Sequence, residues 1–320
     1  MQDRPTLDTV RAAAARIAGR IHRTPVLTSA GLDALTGATL AFKCEPLQRT
    51  GSFKIRGAMN AVMSLSDSDA APGVLTHSSG NFAAALALAA RERGVAANIV
   101  MPENAPAVKQ AAVRGYGGRI TFCAPTLAAR EETAARLGAE TGARFVHPYD
   151  DHAIIAGQGT AALELLEERA DLDVLIAPVG GGGLMSGCAI AAHGINARIE
   201  LVGAEPAGAD DAFRSLAADR RLPQTDPRTC ADGLRTGLGE RNFPILRELL
   251  AGIVTVTEDE IVAAMRLLWE RLKLVVEPSG AVPLAAVMAA PARFRGRRVG
   301  LVLSGGNVDL GALPWSPTSA

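Results

Sequence analysis

The chain has 320 residues, 48% of them hydrophobic and only 4% aromatic, and its 33 Lys and Arg balance its 33 Asp and Glu. That length leaves room for about two domains and a real core, built here from Ala, Val, Leu and Ile. The zero net charge argues against a global nucleic-acid or membrane-surface binder, so neither partner is expected.

Four scattered cysteines, Cys44, Cys123, Cys188 and Cys230, show no paired metal spacing and suit free thiols in a reducing compartment. Asp3 and Asp8 near the N-terminus, without an apolar run, argue against a secretory signal. The longest uncharged run, 174–192, contains Pro178 and four consecutive glycines, poor material for a membrane span. A cytoplasmic protein is expected.

In chain order, Val10, Ala14, Ile17 and Ile21 predict an amphipathic helix over 7–21. Thr24-Pro25-Val26-Leu27 is extended. A strand over 40–45 and a polar turn lead into Phe53, Ile55, Ala58, Val62 and Leu65, which have helical spacing. Strands are then expected at 73–76, 97–101, 119–123 and 144–146, separated by helices at 81–93, 106–114 and 127–141. A helix over 153–169, a strand over 174–177, a helix from 184 and a strand over 199–204 continue the alternation. Residues 219–239 form a long loop. Thr257 caps a helix over 258–273, with Glu260 three residues on, and 299–303 is a last buried strand. The Pro-rich tail, 314–320, is expected to fray. Short strands alternating with helices imply parallel sheets with right-handed crossovers. The expected fold class is α/β, with two domains of open, mostly parallel twisted sheets. Residues 73–150 would form a small mobile domain, and 1–72 with 151–320 a larger one.

Gly51-Ser52-Phe53-Lys54-Ile55-Arg56-Gly57-Ala58 places Lys54 on the first turn of a helix. The macrodipole disfavours a cation there, and low hydration would favour a neutral amine able to attack an aldehyde. The alternative is a solvated surface lysine. Pro178-Val179 and Gly180-Gly181-Gly182-Gly183-Leu184 follow a strand and open a helix. Inward-turning backbone N–H groups make this a phosphate cradle, without the spacing of a Walker loop or a dinucleotide fingerprint. Thr76-His77-Ser78-Ser79-Gly80-Asn81 has the same layout and suits a carboxylate, or serves simply as an N-cap. Ser304-Gly305-Gly306-Asn307 ends the last strand, where open α/β sheets bind ligands, or is an ordinary turn. Glu205, the carbonyl of Ala209 and Asp211 could serve a hard cation, although on spacing alone a helix-capping pair is the better reading.

Together these stretches, with Ile155-Ala156-Gly157-Gln158-Gly159-Thr160 and Thr257-Glu258-Asp259-Glu260, resemble the fold-type II pyridoxal-phosphate enzymes of the serine/threonine dehydratase and serine racemase group, whose fold is tryptophan synthase β-like. The resemblance runs from about residue 7 to about residue 310. It implies that Lys54 carries pyridoxal 5'-phosphate as a Schiff base beside Phe53. It implies that Gly180, Gly181, Gly182, Gly183 and Leu184 bind the phosphate, Asn81 the ring hydroxyl and Ser304 the ring nitrogen. Ser78, Ser79, Gly80 and Asn81 would surround the carboxylate of an amino-acid substrate, with Ser79 as second acid/base. Arg130 resembles an arginine that meets a distal carboxylate. Glu205, Ala209 and Asp211 match a Mg²⁺ or Ca²⁺ site, and a homodimer is implied. Phe82 stands where the family often has His; Arg49 and Tyr149 replace the Lys and Asn of the racemase's nucleotide site, which argues against ATP activation. No feedback-regulatory module is expected.

The expected activity is elimination of water from a β-hydroxy amino acid of the L-serine or L-threonine type, releasing ammonia and a 2-oxo acid. The alternatives are serine racemisation, 3-hydroxyaspartate dehydration and, remotely, a non-catalytic phosphate-ligand binding protein.

Overall fold

The computed structural model describes residues 4–315. Ten strands form two sheets: β1 (Val26–Leu27), β2 (Thr39–Cys44), β3 (Val74–His77), β4 (Ala97–Pro102), β5 (Arg119–Cys123), β6 (Arg144–Phe145), β7 (Val174–Pro178), β8 (Glu200–Pro206), β9 (Gly252–Val256) and β10 (Arg298–Leu303). The larger sheet runs β1-β2-β10-β7-β8-β9, and only β1 is antiparallel to its neighbour. The smaller runs β5-β4-β3-β6, all parallel and all within residues 73–150.

The helices are α1 (Leu7–Ile17), α2 (Ala30–Thr36), α3 (Lys54–Ser64), α4 (Asp67–Ala70), α5 (Asn81–Arg93), α6 (Ala107–Gly115), α7 (Leu127–Thr141), α8 (His152–Glu168), α9 (Gly183–Ile195), α10 (Asp211–Ala217), α11 (Asn242–Leu249), α12 (Glu258–Leu272), α13 (Pro278–Ala289) and α14 (Pro291–Phe294). None among the described residues is long and apolar enough to cross a membrane.

Caps mark many boundaries. Thr257 and Glu260 make the expected reciprocal capping box on α12. Helix α1 stops at Ile17, four residues short of the periodic stripe, and Gly19 follows at φ 73°. Helix α13 is buried on almost every side and carries Pro283 internally. Full burial leaves no polar–apolar stripe, so periodicity did not reveal it. Residues 219–239 are the expected loop, interrupted by one 3-10 turn at Asp232–Leu234. The tail expected to fray begins with Trp315 packed edge-on against Trp269 at 5.2 Å, and its residues 316–320 lie outside the described residues.

Helices α3, α8 and α9 lie side by side between the sheets' active ends, and small residues let them touch. A Cβ on Gly157 would stand 2.6 Å from the Cα of Gly57, and one on Gly187 would stand 2.3 Å from the Ile155 carbonyl. Helix α3 also shares a core with the smaller sheet, through Ile55, Met59 and Val62 against Phe82 and Leu86. The helix that starts at Lys54 is therefore fixed from both sides.

Gly187→Ala should separate α8 from α9 and cost about 1–3 kcal/mol by overpacking. The check is the denaturant midpoint, and an unchanged midpoint would contradict the close approach.

Candidate active site

A cleft of about 600 Å³ opens between the two sheets. It is lined from the carboxyl ends of β3, β7 and β10, and from the start of α3, the place where open parallel sheets bind ligands. Lys54, Phe53, Ser78, Ser79, Gly80, Asn81, Arg130, Gly180, Gly181, Gly182, Gly183, Leu184 and Ser304, all expected at a site, line this one cavity.

Lys54 is the first residue of α3, as its sequence context predicts. Its Nζ donates to the Pro148 carbonyl at 3.1 Å and stands 5.0 Å from the centre of the Phe53 ring. Burial lowers its pKa to about 8, and the Glu277 carboxylate, acting oppositely, keeps it from falling further. A buried amine that loses its proton near neutrality is a competent nucleophile toward an aldehyde.

The glycine run turns the end of β7 into the start of α9. Gly182 sits at φ 90°, which disfavours any residue with a side chain. The Tyr149 ring lies against the run, and a Cβ on Gly181 would meet it at 2.3 Å. The first N–H groups of α9 have no intrahelical partner and point outward with the positive end of the dipole. This cradle fits a phosphate. Opposite it, Gly80 precedes α5 with no side-chain cap, so the first N–H groups of α5 are also free for an anion. The N-cap alternative for Ser78 and Ser79 is not realised; Ser78 instead accepts from the Gly80 N–H at 3.3 Å. Lysine, phosphate cradle and the Ser304 hydroxyl on β10 surround one space, which fits pyridoxal phosphate.

Several groups in the cleft escaped the sequence analysis. Glu277, buried at the start of α13, accepts from Asn81 Nδ2 at 3.0 Å and from the Asn307 N–H at 3.1 Å. Burial pushes its pKa up to about 7. The Glu277-Pro278 step, with Pro at the first helical position, is the signal that could have located this helix start. His77 and His147 line the cleft, and Lys109 on α6 pairs with Asp232 across its mouth. Arg130, half-buried, donates from Nε to the Thr126 carbonyl at 3.3 Å. Its field, after burial, helps hold the His77 pKa down, so its charge faces the cleft wall.

The three cation ligands expected from sequence lie apart from the cleft, at the end of β8. Glu205 is fully buried and accepts from the N–H groups of Ala212 and Phe213, at 3.1 and 2.8 Å. Asp211 accepts from the Leu238 N–H at 2.7 Å and Gln224 Nε2 at 2.9 Å. Burial raises the pKa of both, that of Asp211 to about 6. Among the described residues, no three His, Cys, Asp or Glu side chains gather as a ligand set. Any cation here would rely on two carboxylates and backbone carbonyls, a donor set suited to a hard ion.

This fold and this lysine–glycine site define a fold-type II pyridoxal-phosphate-dependent enzyme. The chain belongs to that family: the family model described as pyridoxal-phosphate dependent enzyme matches residues 17–305. It is 49% identical to a beta-hydroxyaspartate dehydratase of Paracoccus denitrificans (strain Pd 1222), over 98% of this chain and 99% of that one. Among solved structures, maize serine racemase superposes with a TM-score of 0.94 at 46% identity, covering 97% of this chain and 95% of that one. The serine racemase of Dictyostelium discoideum superposes with a TM-score of 0.92 at 48% identity, covering 95% and 99%. A bacterial-type threonine deaminase fold is equally near, with a TM-score of 0.91 at 49% identity over 95% of this chain and 99% of that one.

The Glu277 carboxyl is harder to ionise folded than unfolded, so its contribution is unfavourable above about pH 7 and relieved as pH falls toward 4.5. Glu277→Gln removes that titration. The stability of the variant relative to wild type should therefore rise between pH 4.5 and pH 7, by up to about 3 kcal/mol. Denaturant titrations of both proteins across this range check it; a constant difference would contradict the buried, titrating carboxyl.

Proposed function

We propose that the protein eliminates water from a β-hydroxy amino acid of the L-serine or L-threonine type, and that the product then releases ammonia as a 2-oxo acid forms. The observation that carries this reading is the pairing of the buried Lys54 amine with the neutral Ser304 side chain in one cleft. When bound, pyridoxal phosphate supplies the electron sink that acidifies the substrate's Cα–H. Gly180 to Leu184 would hold its phosphate, Asn81 its ring hydroxyl and Ser304 its ring nitrogen. The free N–H groups of α5, with Ser78 and Ser79, bind the substrate carboxylate.

Lys54, neutral in part near pH 8, takes the Cα proton. A serine hydroxyl cannot hold a full positive charge on the ring nitrogen as a carboxylate could, so charge left at Cα is better relieved by losing the β-hydroxyl than by persisting. Ser79 lines the same cleft and could return a proton to Cα, which makes racemisation a minor path. Arg130 in the cleft favours a second substrate reading, a 3-hydroxyaspartate whose distal carboxylate a guanidinium would grip. Residues 73–150 carry Ser78 to Asn81 and Arg130, and we propose that they move as the smaller body that closes on substrate.

The test incubates the holoenzyme with L-serine, L-threonine and 3-hydroxyaspartate and quantifies 2-oxo acid, D-isomer and pyridoxamine phosphate together. The 2-oxo acid should dominate and pyridoxamine phosphate stay negligible, while Lys54→Ala should form none of the three. D-isomer in excess of 2-oxo acid would make the protein a racemase. Rapid accumulation of pyridoxamine phosphate would overturn the argument from Ser304. On 3-hydroxyaspartate, equal rates for wild type and Arg130→Ala would remove the guanidinium grip.

We further propose that Glu205, Asp211 and the Ala209 carbonyl bind Mg²⁺ or Ca²⁺. Two desolvated carboxylates close enough to raise each other's pKa support it. A cation at 100 times its Kd should stabilise the folded state by about 2.7 kcal/mol. Melting curves with chelator, Mg²⁺ and Ca²⁺ test this, and Glu205→Ala should abolish the response while the cofactor stays bound. Identical curves under all three conditions would rule the site out.

A further inference from the structure

His147 lies on the segment that wraps the catalytic amine: the carbonyl of its neighbour Pro148 accepts from Lys54 Nζ. Its ring packs edge-on against Tyr149 at 4.6 Å, and Tyr149 in turn covers the glycine cradle. On its other side stands His77, 6.5 Å away, next to the Ser78–Asn81 loop. The ring thus sits between the amine, the cradle and the carboxylate loop, where a substituent on the substrate's Cβ would come to rest.

The two ring nitrogens have separate duties. Nδ1 accepts from the Asp150 N–H at 2.9 Å and from the Tyr149 N–H at 3.3 Å. An acceptor of two N–H bonds cannot also carry a proton, so the neutral ring must hold its proton on Nε2. Nε2 makes no hydrogen bond to the protein among the described residues, and the ring lines the cleft. Four charged or titratable groups face it: Asp150 and Asp151 on its own segment, His77 at the end of β3 and Lys54 on α3. Burial outweighs the two acids and lowers its pKa to about 4. Across the physiological range the ring is an N–H donor and not an acid.

We propose that His147 is a substrate-contacting specificity residue, whose Nε2–H donates a hydrogen bond to the β-oxygen of a hydroxy amino acid. The inference rests on the β-elimination reading. As the Cβ–O bond breaks, its electron pair stays on the oxygen while the Cα electrons form the new double bond. The Nε2–H stabilises the oxygen's growing negative charge and keeps its own proton. The proton that completes water comes from another donor in the site.

The experiment separates the two nitrogens. In His147→Asn, the Asn Oδ1 can replace Nδ1 as acceptor and preserve the turn, but nothing replaces the Nε2 donor. In His147→Gln, an amide N–H reaches the place of Nε2. Each holoenzyme is assayed with L-serine and with β-chloro-L-alanine, whose chloride leaves without a hydrogen-bond donor. For His147→Asn, kcat/KM on L-serine should fall roughly 100-fold, the loss typical of one donor at a developing oxyanion, while elimination from β-chloro-L-alanine should stay near wild type. His147→Gln should recover part of the serine activity. Side-chain ¹⁵N spectra of the wild type should show a protonated Nε2 and a bare Nδ1 from pH 6 to pH 9.

Equal losses on both substrates, or none on either, would overturn the contact. So would a variant-to-wild-type ratio that changes through pH 6–7, since the ring would then be titrating, or a weakened cofactor affinity in His147→Asn. A wild type that eliminates from neither substrate would instead overturn the elimination reading itself, so the two failures are distinguishable.

Discussion

The start of α3 is held by one buried guanidinium. Arg56, with no exposed surface, bonds both oxygens of Glu45 at 2.7 and 2.8 Å and both oxygens of Glu164 at the same two distances. Lys43, also fully buried, reaches Glu164 at 2.6 Å, so two cations meet two anions. Burial opposes the charge on Arg56, yet the two carboxylates more than offset it and its pKa stands above the ordinary value. Such a cluster adds little net stability compared with apolar packing, but breaking it by removing one partner typically costs about 3–5 kcal/mol. Its consequence is geometric. β2, α3 and α8 cannot shift relative to one another without exposing an unpaired charge, and Lys54 lies two residues from the fixed point.

The glycine contacts do the complementary work by distance. Where Gly57 meets Gly157 and Gly159 meets Gly187, the helix backbones come closer than any side chain would allow. That approach brings the start of α3 and the start of α9, the amine and the cradle, to the same cavity. Ionic clamp and close packing therefore fix the two ends of one ligand independently.

Much of this was legible because it depended on local chemistry. Alternating strands and helices gave the parallel sheets, and Lys54, Gly180 to Gly183 and Ser304 stood out because lysine at a helix start, repeated glycine and a strand-end turn each have a local physical reason. The boundaries of α5, β5 and α7 were readable from turn residues and periodicity. Glu277 and His147 were not, because nothing local distinguishes a carboxylate that will be buried, or a histidine whose Nδ1 will be taken by its own backbone. Their properties arise from segments that meet only in the folded chain. Helix α13 was hidden for a related reason: surrounded by core, it needs no polar face.

The charges in the cleft are segregated by depth. At the mouth, Lys109 and Asp232 face each other from opposite sides. Toward the base, Lys54 and Glu277 are buried, and burial draws their pKa values to about 8 and about 7, close to one another. Between them stand neutral donors: the Asn81 amide, which ties Glu277 to the substrate loop, and the hydroxyls of Ser79 and Ser304. A low dielectric strengthens each neutral hydrogen bond and each residual charge together. Any opening that admits water would raise the pKa of Lys54 toward its free value and lower that of Glu277, protonating the amine as the site loosens. The nucleophilic state of Lys54 is thus a property of the closed cleft, maintained by the same burial that excludes solvent from the reacting atoms.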